Sequence, residues 1–204
     1  MNQELLYLSG MISPILFIFV TIIGGALRPG YSHVSDTISE LFSPGSPNKL
    51  MLDILHTMTA ILTIAFGIGL LRYVRFSEYN NSIGNIAASI IILMGLVNIL
   101  TATIFPQDAW NTDPTIQGQM HKVLAGVLAL LSILSTLMFG IWSQNANIFP
   151  YFGVYSFVTV ALLVITGGFA VVKLGSPIMG LTERITILVG LQWTFLFALK
   201  LFSM

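Results

Sequence analysis

The sequence predicts an all-α membrane protein, a polytopic bundle of six transmembrane helices in a chain of 204 residues. The prediction rests on composition, since 55% of the residues are hydrophobic, only 8% are charged, and the mean hydropathy is +0.90. Soluble domains carry about 25% charged residues. Eight acids and eight bases are too few to give this chain a water-facing surface, so most of its apolar surface must face lipid.

Six stretches are long and apolar enough to cross a bilayer, because a helix needs about 20 apolar residues to span about 30 Å of hydrocarbon. They form a single transmembrane domain, residues 1–204, and cover approximately residues 5–27, 50–73, 83–103, 118–142, 150–172 and 181–202. The first is interpreted as a retained helix rather than a signal peptide, because its uncharged run is 23 residues long and no basic segment precedes it.

Loop one, residues 28–49, is the longest and most polar connection. Its apolar residues recur at helical spacing, and they are Val34, Ile38, Leu41 and Phe42. This pattern predicts a short amphipathic helix, which we expect to lie flat on the membrane or to fold over the mouth of the bundle. In loop three, Trp110 is expected in the interfacial belt of the membrane.

Charge and cysteine content exclude several classes of function. The net charge is zero, so the chain has no basic surface for a phosphate backbone, and nucleic acid is not an expected partner. The absence of Cys excludes disulfides and cysteine-ligated metals. Lys and Arg number three on the side of the termini and five on the other, a count that favours termini outside the cytoplasm.

Ionisable side chains at membrane depth cost about 2.5–3.5 kcal/mol on insertion scales, so each is a candidate for function. Loops one, three and five lie on one face of a six-helix bundle, and the polar residues concentrate there. We therefore predict one polar pocket at this face, covered by loop one. The candidate catalytic residues are Asp36, Glu40, His56, Asp108 and His121. The candidate ligand-binding residues are Ser39, Asn98 and Arg184.

Two histidines and a carboxylate could bind a divalent metal in this pocket. His56 lies about 9 Å inside the second helix, at 1.5 Å per residue, and His121 lies near the matching end of the fourth. With Asp108 they form the candidate metal set, although the sequence contains neither H-E-x-x-H nor H-x-x-x-H. Arg184 could hold a phosphate or carboxylate head group through two parallel hydrogen bonds.

The same residues have structural alternatives, which stay open at this point. Asp53 is spaced to pair with Lys49, one helical turn earlier. Asp36 and Glu40 could form the solvated face of a surface helix, and Arg184 could pair with a loop acid and hold the last helix in place.

The segment from Arg28 to Leu41, Arg-Pro-Gly-Tyr-Ser-His-Val-Ser-Asp-Thr-Ile-Ser-Glu-Leu, resembles the loop-one signature of a prokaryotic membrane family called "domain of unknown function 998". Other similar features are Phe105-Pro-x-Asp108 before His121, His56 in the second helix, and Gly180-Leu-x-x-Arg184 with Trp193. The positions that match are Asp36, Ser39, Glu40, His56, Asp108, His121 and Arg184. Ser35 departs from the family pattern, in which a basic residue often precedes the Asp.

The resemblance implies a six-helix protein of the cell membrane. Loop one and its amphipathic helix would lie outside the cytoplasm and both termini inside, which replaces the orientation favoured by the charge count.

Three classes of function remain open. A membrane-embedded, metal-dependent hydrolase would act on a lipid, with a metal-bound water as the nucleophile. A protein that binds or transports a lipid or another small ligand would need no catalysis, and a polar path to the opposite face would indicate transport. A haem-binding electron carrier would use His56 and His121 as axial ligands. The corresponding cofactor is a divalent metal in the first class and haem in the third.

Overall fold

A computed structural model describes residues 2–109 and 112–204, and the expectation for Trp110 lies outside these residues. The described residues form six α-helices and one short 3-10 helix. The α-helices are α1 (Gln3–Ala26), α2 (Lys49–Phe76), α3 (Ser82–Thr103), α4 (Ile116–Ala146), α5 (Phe152–Val172) and α6 (Met179–Phe202). All six are long and apolar enough to cross a membrane, with mean hydropathies between 1.8 and 2.3 in their most apolar windows. The predicted all-α, multi-pass fold is confirmed.

Several helices extend beyond the apolar runs that predicted them, because polar residues cap them outside the hydrocarbon. Thr115 caps α4, and its hydroxyl accepts a hydrogen bond from the backbone N–H of Gly118 at 3.1 Å. Asn81 caps α3 in the same way, accepting from Gly84 at 2.9 Å. At its other end α4 continues to Ala146, four residues past its predicted end at residue 142.

The helices form a closed ring in which each packs against its neighbours in sequence and α1 packs against α6. Successive helices run in opposite directions, so loops one, three and five share one end of the ring, which we call the loop-one face. The opposite end, with both termini and loops two and four, is the terminal face. Close approach depends on glycine: a Cβ at Gly95 would lie 2.9 Å from the carbonyl oxygen of Ala60.

An aromatic core fills the half of the ring nearer the terminal face. Its largest fully buried side chains are Phe66, Phe139, Trp142, Trp193 and Phe197. The centroids of Phe139 and Phe197 are 4.9 Å apart with a T-shaped geometry, which is favourable for aromatic pairs. The indole N–H of Trp193 donates to the Ser156 hydroxyl at 2.9 Å, so this buried polar group is satisfied. The core closes the ring toward the terminal face.

Loop one folds over the loop-one face, which is one of the two placements expected for it. Its helix is a four-residue 3-10 helix, Ser39–Phe42, and is shorter than the predicted amphipathic helix. Ile38, Leu41 and Phe42 are buried in a cluster with Val20 and Leu52.

In loop one, side chains donate hydrogen bonds to carbonyl groups that would accept backbone hydrogen bonds in a longer α-helix. The Tyr31 hydroxyl donates to the Thr37 carbonyl at 2.8 Å, and Arg28 donates to the Glu40 carbonyl. Competition of this kind with backbone hydrogen bonding shortens regular structure. Glu40 is only 4% exposed, so the alternative in which it belongs to a solvated face is wrong.

Candidate functional site

A cavity of about 940 Å³ occupies the half of the ring nearer loop one. Side chains from all six α-helices and from the 3-10 helix line it, and most of them are apolar. Ligand pockets in proteins have volumes of about 300–1,000 Å³ and a mainly apolar lining with a few polar groups. The cavity ends at Trp193, where the aromatic core begins. It is the candidate binding site of the protein.

Four of the predicted site residues line this cavity, and they are Ser39, His56, Asn98 and His121. The prediction placed them at one membrane face because their helices alternate in direction, and the structure brings them to one end of one cavity. Hydroxyl groups of neighbouring helices extend the polar lining. The Ser13 hydroxyl donates to the Thr59 carbonyl at 2.9 Å and lies 2.9 Å from the Thr63 hydroxyl.

His56 is the most enclosed polar residue of this set, with 7% of its surface exposed. The ring of Phe42 lies 4.9 Å from the imidazole and that of Phe17 lies 5.8 Å away, measured between centroids. Asn98 and His121 are its polar neighbours. Within residues 2–109 and 112–204, the Nδ1 atom of His56 has no hydrogen-bond partner of normal geometry. A buried polar atom without a partner costs about 1–3 kcal/mol, so this nitrogen favours a ligand group.

His121 connects two helices at the loop-one face. Its Nδ1 atom lies 2.9 Å from the carbonyl oxygen of Phe105, just beyond the end of α3. A carbonyl can only accept, so Nδ1 carries the proton and donates it in this bond. The bond fixes the orientation of the imidazole at the wall of the cavity.

Glu183 also lines the cavity, although it is not among the predicted site residues. One carboxylate oxygen accepts a hydrogen bond from the backbone N–H of Ile38 at 2.7 Å, which joins α6 to loop one. The signal that could have found it is a stripe of small and polar residues on one face of α6. Thr186, Gly190 and Thr194 follow Glu183 at i+3, i+7 and i+11, and all line the cavity.

Arg184 does not line the cavity and instead holds loop one against α6. One guanidinium nitrogen donates to the carbonyl oxygens of His33 at 2.8 Å, Asp36 at 2.7 Å and Gly180 at 2.9 Å. The other donates to the Tyr31 hydroxyl, and the guanidinium lies 5.6 Å from the centre of the Tyr31 ring. Burial raises the pKa of Tyr31 to about 12, although the Arg184 cation acts in the opposite direction.

The carboxylates of Asp36 and Glu40 shape loop one rather than the cavity. Asp36 accepts from the backbone N–H of Ser32 at 2.8 Å, and Glu40 accepts from the backbone N–H of Thr37 at 3.2 Å. The structural alternative for Asp53 is confirmed, since it pairs with Lys49 at 2.6 Å.

Asp108 lies in loop three, beside the N-terminal cap of α4 and outside the cavity. Its carboxylate accepts from the Thr115 hydroxyl and from the Thr115 backbone N–H, the latter at 3.0 Å. These two hydrogen bonds lower the pKa of the Asp108 carboxyl below its usual range. Across the described ranges, no three His, Asp or Glu side chains are grouped as metal ligands. The structure therefore does not assemble His56, His121 and Asp108 into the metal set suggested by their residue types.

The cavity opens sideways between α4 and α5, in the half of the ring nearer loop one. Several residues both line it and are largely exposed: Val123 (57%), Leu130 (62%), Val164 (54%) and Val171 (67%). At Gly126 of α4 and Gly168 of α5, an added Cβ would meet no atom within 4 Å. Because both helices are membrane spans, this opening faces the hydrocarbon of the bilayer.

Comparison with known proteins gives a family and no activity. No curated protein and no solved structure matches the chain. Residues 11–200 match a family described as "Protein of unknown function (DUF998)", a segment that reaches from within α1 almost to the end of α6. The chain is thus a polytopic membrane protein that belongs to the DUF998 family.

Proposed function

We propose that the protein binds a membrane amphiphile, with the apolar chain of the ligand in the cavity and its polar end beneath loop one. The observation that carries this proposal is the cavity itself, which is mainly apolar, polar at one end and open to the bilayer between α4 and α5. A ligand of this shape would exchange with the lipid phase through the side opening.

The polar end of the cavity supplies the selectivity. A ligand that comes from the bilayer is already surrounded by hydrocarbon, so its apolar chain gains little from burial in the protein. Polar groups gain more, since the unpartnered Nδ1 of His56 and its neighbour Asn98 offer hydrogen bonds that lipid tails do not.

Binding without catalysis fits the geometry better than hydrolysis or transport. The three candidate catalytic carboxylates, Asp36, Glu40 and Asp108, bind backbone groups away from the cavity. Among the described residues, the aromatic core closes the cavity toward the terminal face, which argues against a continuous polar path through the ring.

The binding proposal is tested by purifying the protein in a mild detergent and identifying the lipids that remain bound by native mass spectrometry. Gly126→Phe and Gly168→Phe place a ring at the cavity wall without a clash of Cβ, so both should lose the bound amphiphile. Ala161→Phe, at an exposed position of α5 that does not line the cavity, is the matched control and should retain it. Equal retention by all three variants would contradict the proposal.

For orientation, we propose that the loop-one face lies outside the cytoplasm. The chain contains no Cys, so single cysteines can be introduced cleanly. In intact cells, Asp113→Cys in loop three should react with a membrane-impermeant maleimide, whereas Asn80→Cys in loop two should not. The reverse pattern would place the termini outside.

A further inference from the structure

Glu183 is the only Asp, Glu, Lys or Arg among the described residues that line the cavity. Its carboxylate accepts one backbone hydrogen bond, from Ile38 at 2.7 Å, and the Ser39 side chain is a further neighbour. In the described parts of the chain, the ion pair within 4.0 Å is Lys49–Asp53, so Glu183 has no basic partner at that distance. A partly buried carboxylate without such a partner favours the binding of a cation beside it.

The charges around Glu183 leave this end of the cavity negative. Lys49 is paired with Asp53 at 2.6 Å. The other charged side chains of loop one and the start of α6 are Arg28, Arg184, Asp36, Glu40 and Glu183, and two positive with three negative charges give a formal −1. The hydrogen bonds of both arginines go to backbone carbonyls and to the Tyr31 hydroxyl rather than to carboxylates. Neither guanidinium therefore neutralises Glu183 directly.

The remaining polar lining suits a hydrogen-bond donor. The Asn98 side chain is hydrogen-bonded to the His56 ring, and the amide oxygen of Asn98 has a second lone pair that can accept. The unpartnered Nδ1 of His56 can also accept. An ammonium group carries three donors and no acceptor, which matches these acceptors together with the carboxylate. The lysines of α4 and loop five, Lys122 and Lys173, do not line the cavity.

We propose that the polar end of the ligand is a protonated amine, so that the protein binds a long-chain ammonium amphiphile with Glu183 as the counter-ion. This inference rests on the proposed binding function and specifies its ligand class. The ammonium group would lie beneath loop one, and the chain would extend along α6 toward Trp193. Glu183 and Trp193 are ten residues apart, about 15 Å along the helix axis, a length that an extended dodecyl chain can cover.

Trp193 allows a direct test, because it lines the cavity while being 2% exposed. Three probes with the same terminally brominated dodecyl chain are compared: the amine, the alcohol and the carboxylic acid. Bromine quenches indole fluorescence on contact, and Trp193→Phe identifies the part of the signal that comes from the cavity. The full chain in a non-ionic detergent should bind the amine at least about tenfold more tightly than the alcohol, which corresponds to about 1.4 kcal/mol.

Glu183→Gln separates charge from structure, because its amide oxygen can still accept from Ile38. It should bring the affinity for the amine down to that for the alcohol. Glu40→Gln is the matched control, since Glu40 belongs to the same group of charges but does not line the cavity; it should keep the preference for the amine.

The outcomes distinguish the two proposals. Equal quenching by all three probes, or strongest quenching by the acid, would overturn the amine assignment and leave the amphiphile site in place. Absence of Trp193 quenching by any probe would overturn the binding function itself.

Discussion

Arg184 offers the strongest test of how loop one is held over the cavity. In Arg184→Met the side chain keeps an unbranched apolar stem and loses the guanidinium with all its donors. Loop one then loses the three hydrogen bonds that Arg184 donates to it, which go to the carbonyl oxygens of His33 and Asp36 and to the Tyr31 hydroxyl. Hydrogen bonds to charged groups contribute about 1.5–3 kcal/mol each, so a simple sum is about 4.5–9 kcal/mol. Water can replace part of this at the membrane face, and we expect a loss of about 3 kcal/mol in the stability of loop one.

Hydrogen exchange of loop one in detergent measures this loss. At about 1.4 kcal/mol per factor of ten, a loss of about 3 kcal/mol makes exchange of the protected amides about 100-fold faster. The informative amides are those of Asp36 and Ile38, which are hydrogen-bonded in the structure. Arg75→Met, at an exposed position on the terminal face, is the matched charge-removal control and should leave them unchanged. Unchanged exchange in Arg184→Met would refute the assignment of Arg184 to the positioning of loop one.

Three further predictions concern stability, measured by thermal unfolding in detergent. Gly10→Ala should lower the melting temperature, because its Cβ would overlap the ring of Phe66. Gly126→Ala has open space around its Cβ and should leave the melting temperature unchanged, or raise it through a gain in helix propensity of up to about 1 kcal/mol. The opposite order of the two melting temperatures would contradict the packing. Ionised Asp108, whose pKa lies below the usual value, should stabilise the fold above about pH 4, and this contribution should be lost as pH falls through its folded pKa. Asp108→Asn should therefore be less stable than the natural chain at pH 7 and equally stable once the pH is below the folded pKa of Asp108. A difference independent of pH would be inconsistent with this role. Leu41→Ala, at a position that is 0% exposed, should cost about 2–5 kcal/mol, and a smaller loss would mean that loop one is not packed as described.

The helices could be predicted from the sequence because membrane insertion depends on local hydropathy. Each span is an apolar run that needs no knowledge of distant residues, and all six were found. The helix ends were predicted less accurately, since α4 begins after its cap Thr115 and continues to Ala146 instead of ending at residue 142.

Part of the site could be predicted for a similarly simple reason. His56, Asn98 and His121 lie near the same end of alternating helices, so their depth alone indicated a common level. What depth does not give is the direction of a side chain. Asp108 has the right depth, yet its carboxylate accepts a hydrogen bond from the backbone N–H of Thr115, the cap of α4, and does not line the cavity.

Long-range contacts account for what the sequence did not reveal. Arg184 binds loop one across about 150 positions of the chain, with 151 separating it from His33. That contact, and the hydrogen bond from Ile38 to Glu183, decide which α6 residue faces the cavity. The stripe from Glu183 to Thr194 was visible in the sequence, but its meaning depends on the ring that closes between α1 and α6.

The central claim is that lipid reaches the interior of the ring between α4 and α5, as far as Trp193. Fluorescence quenching in bilayers of phospholipids brominated on their acyl chains tests it most directly, with Trp193→Phe and Trp142→Phe used to separate the signals. We predict that Trp193 is quenched although it is buried, that Trp142 in the aromatic core is not, and that Gly126→Phe protects Trp193. If Trp193 in the natural chain is protected from bromine quenching to the same extent as Trp142, the claim is contradicted.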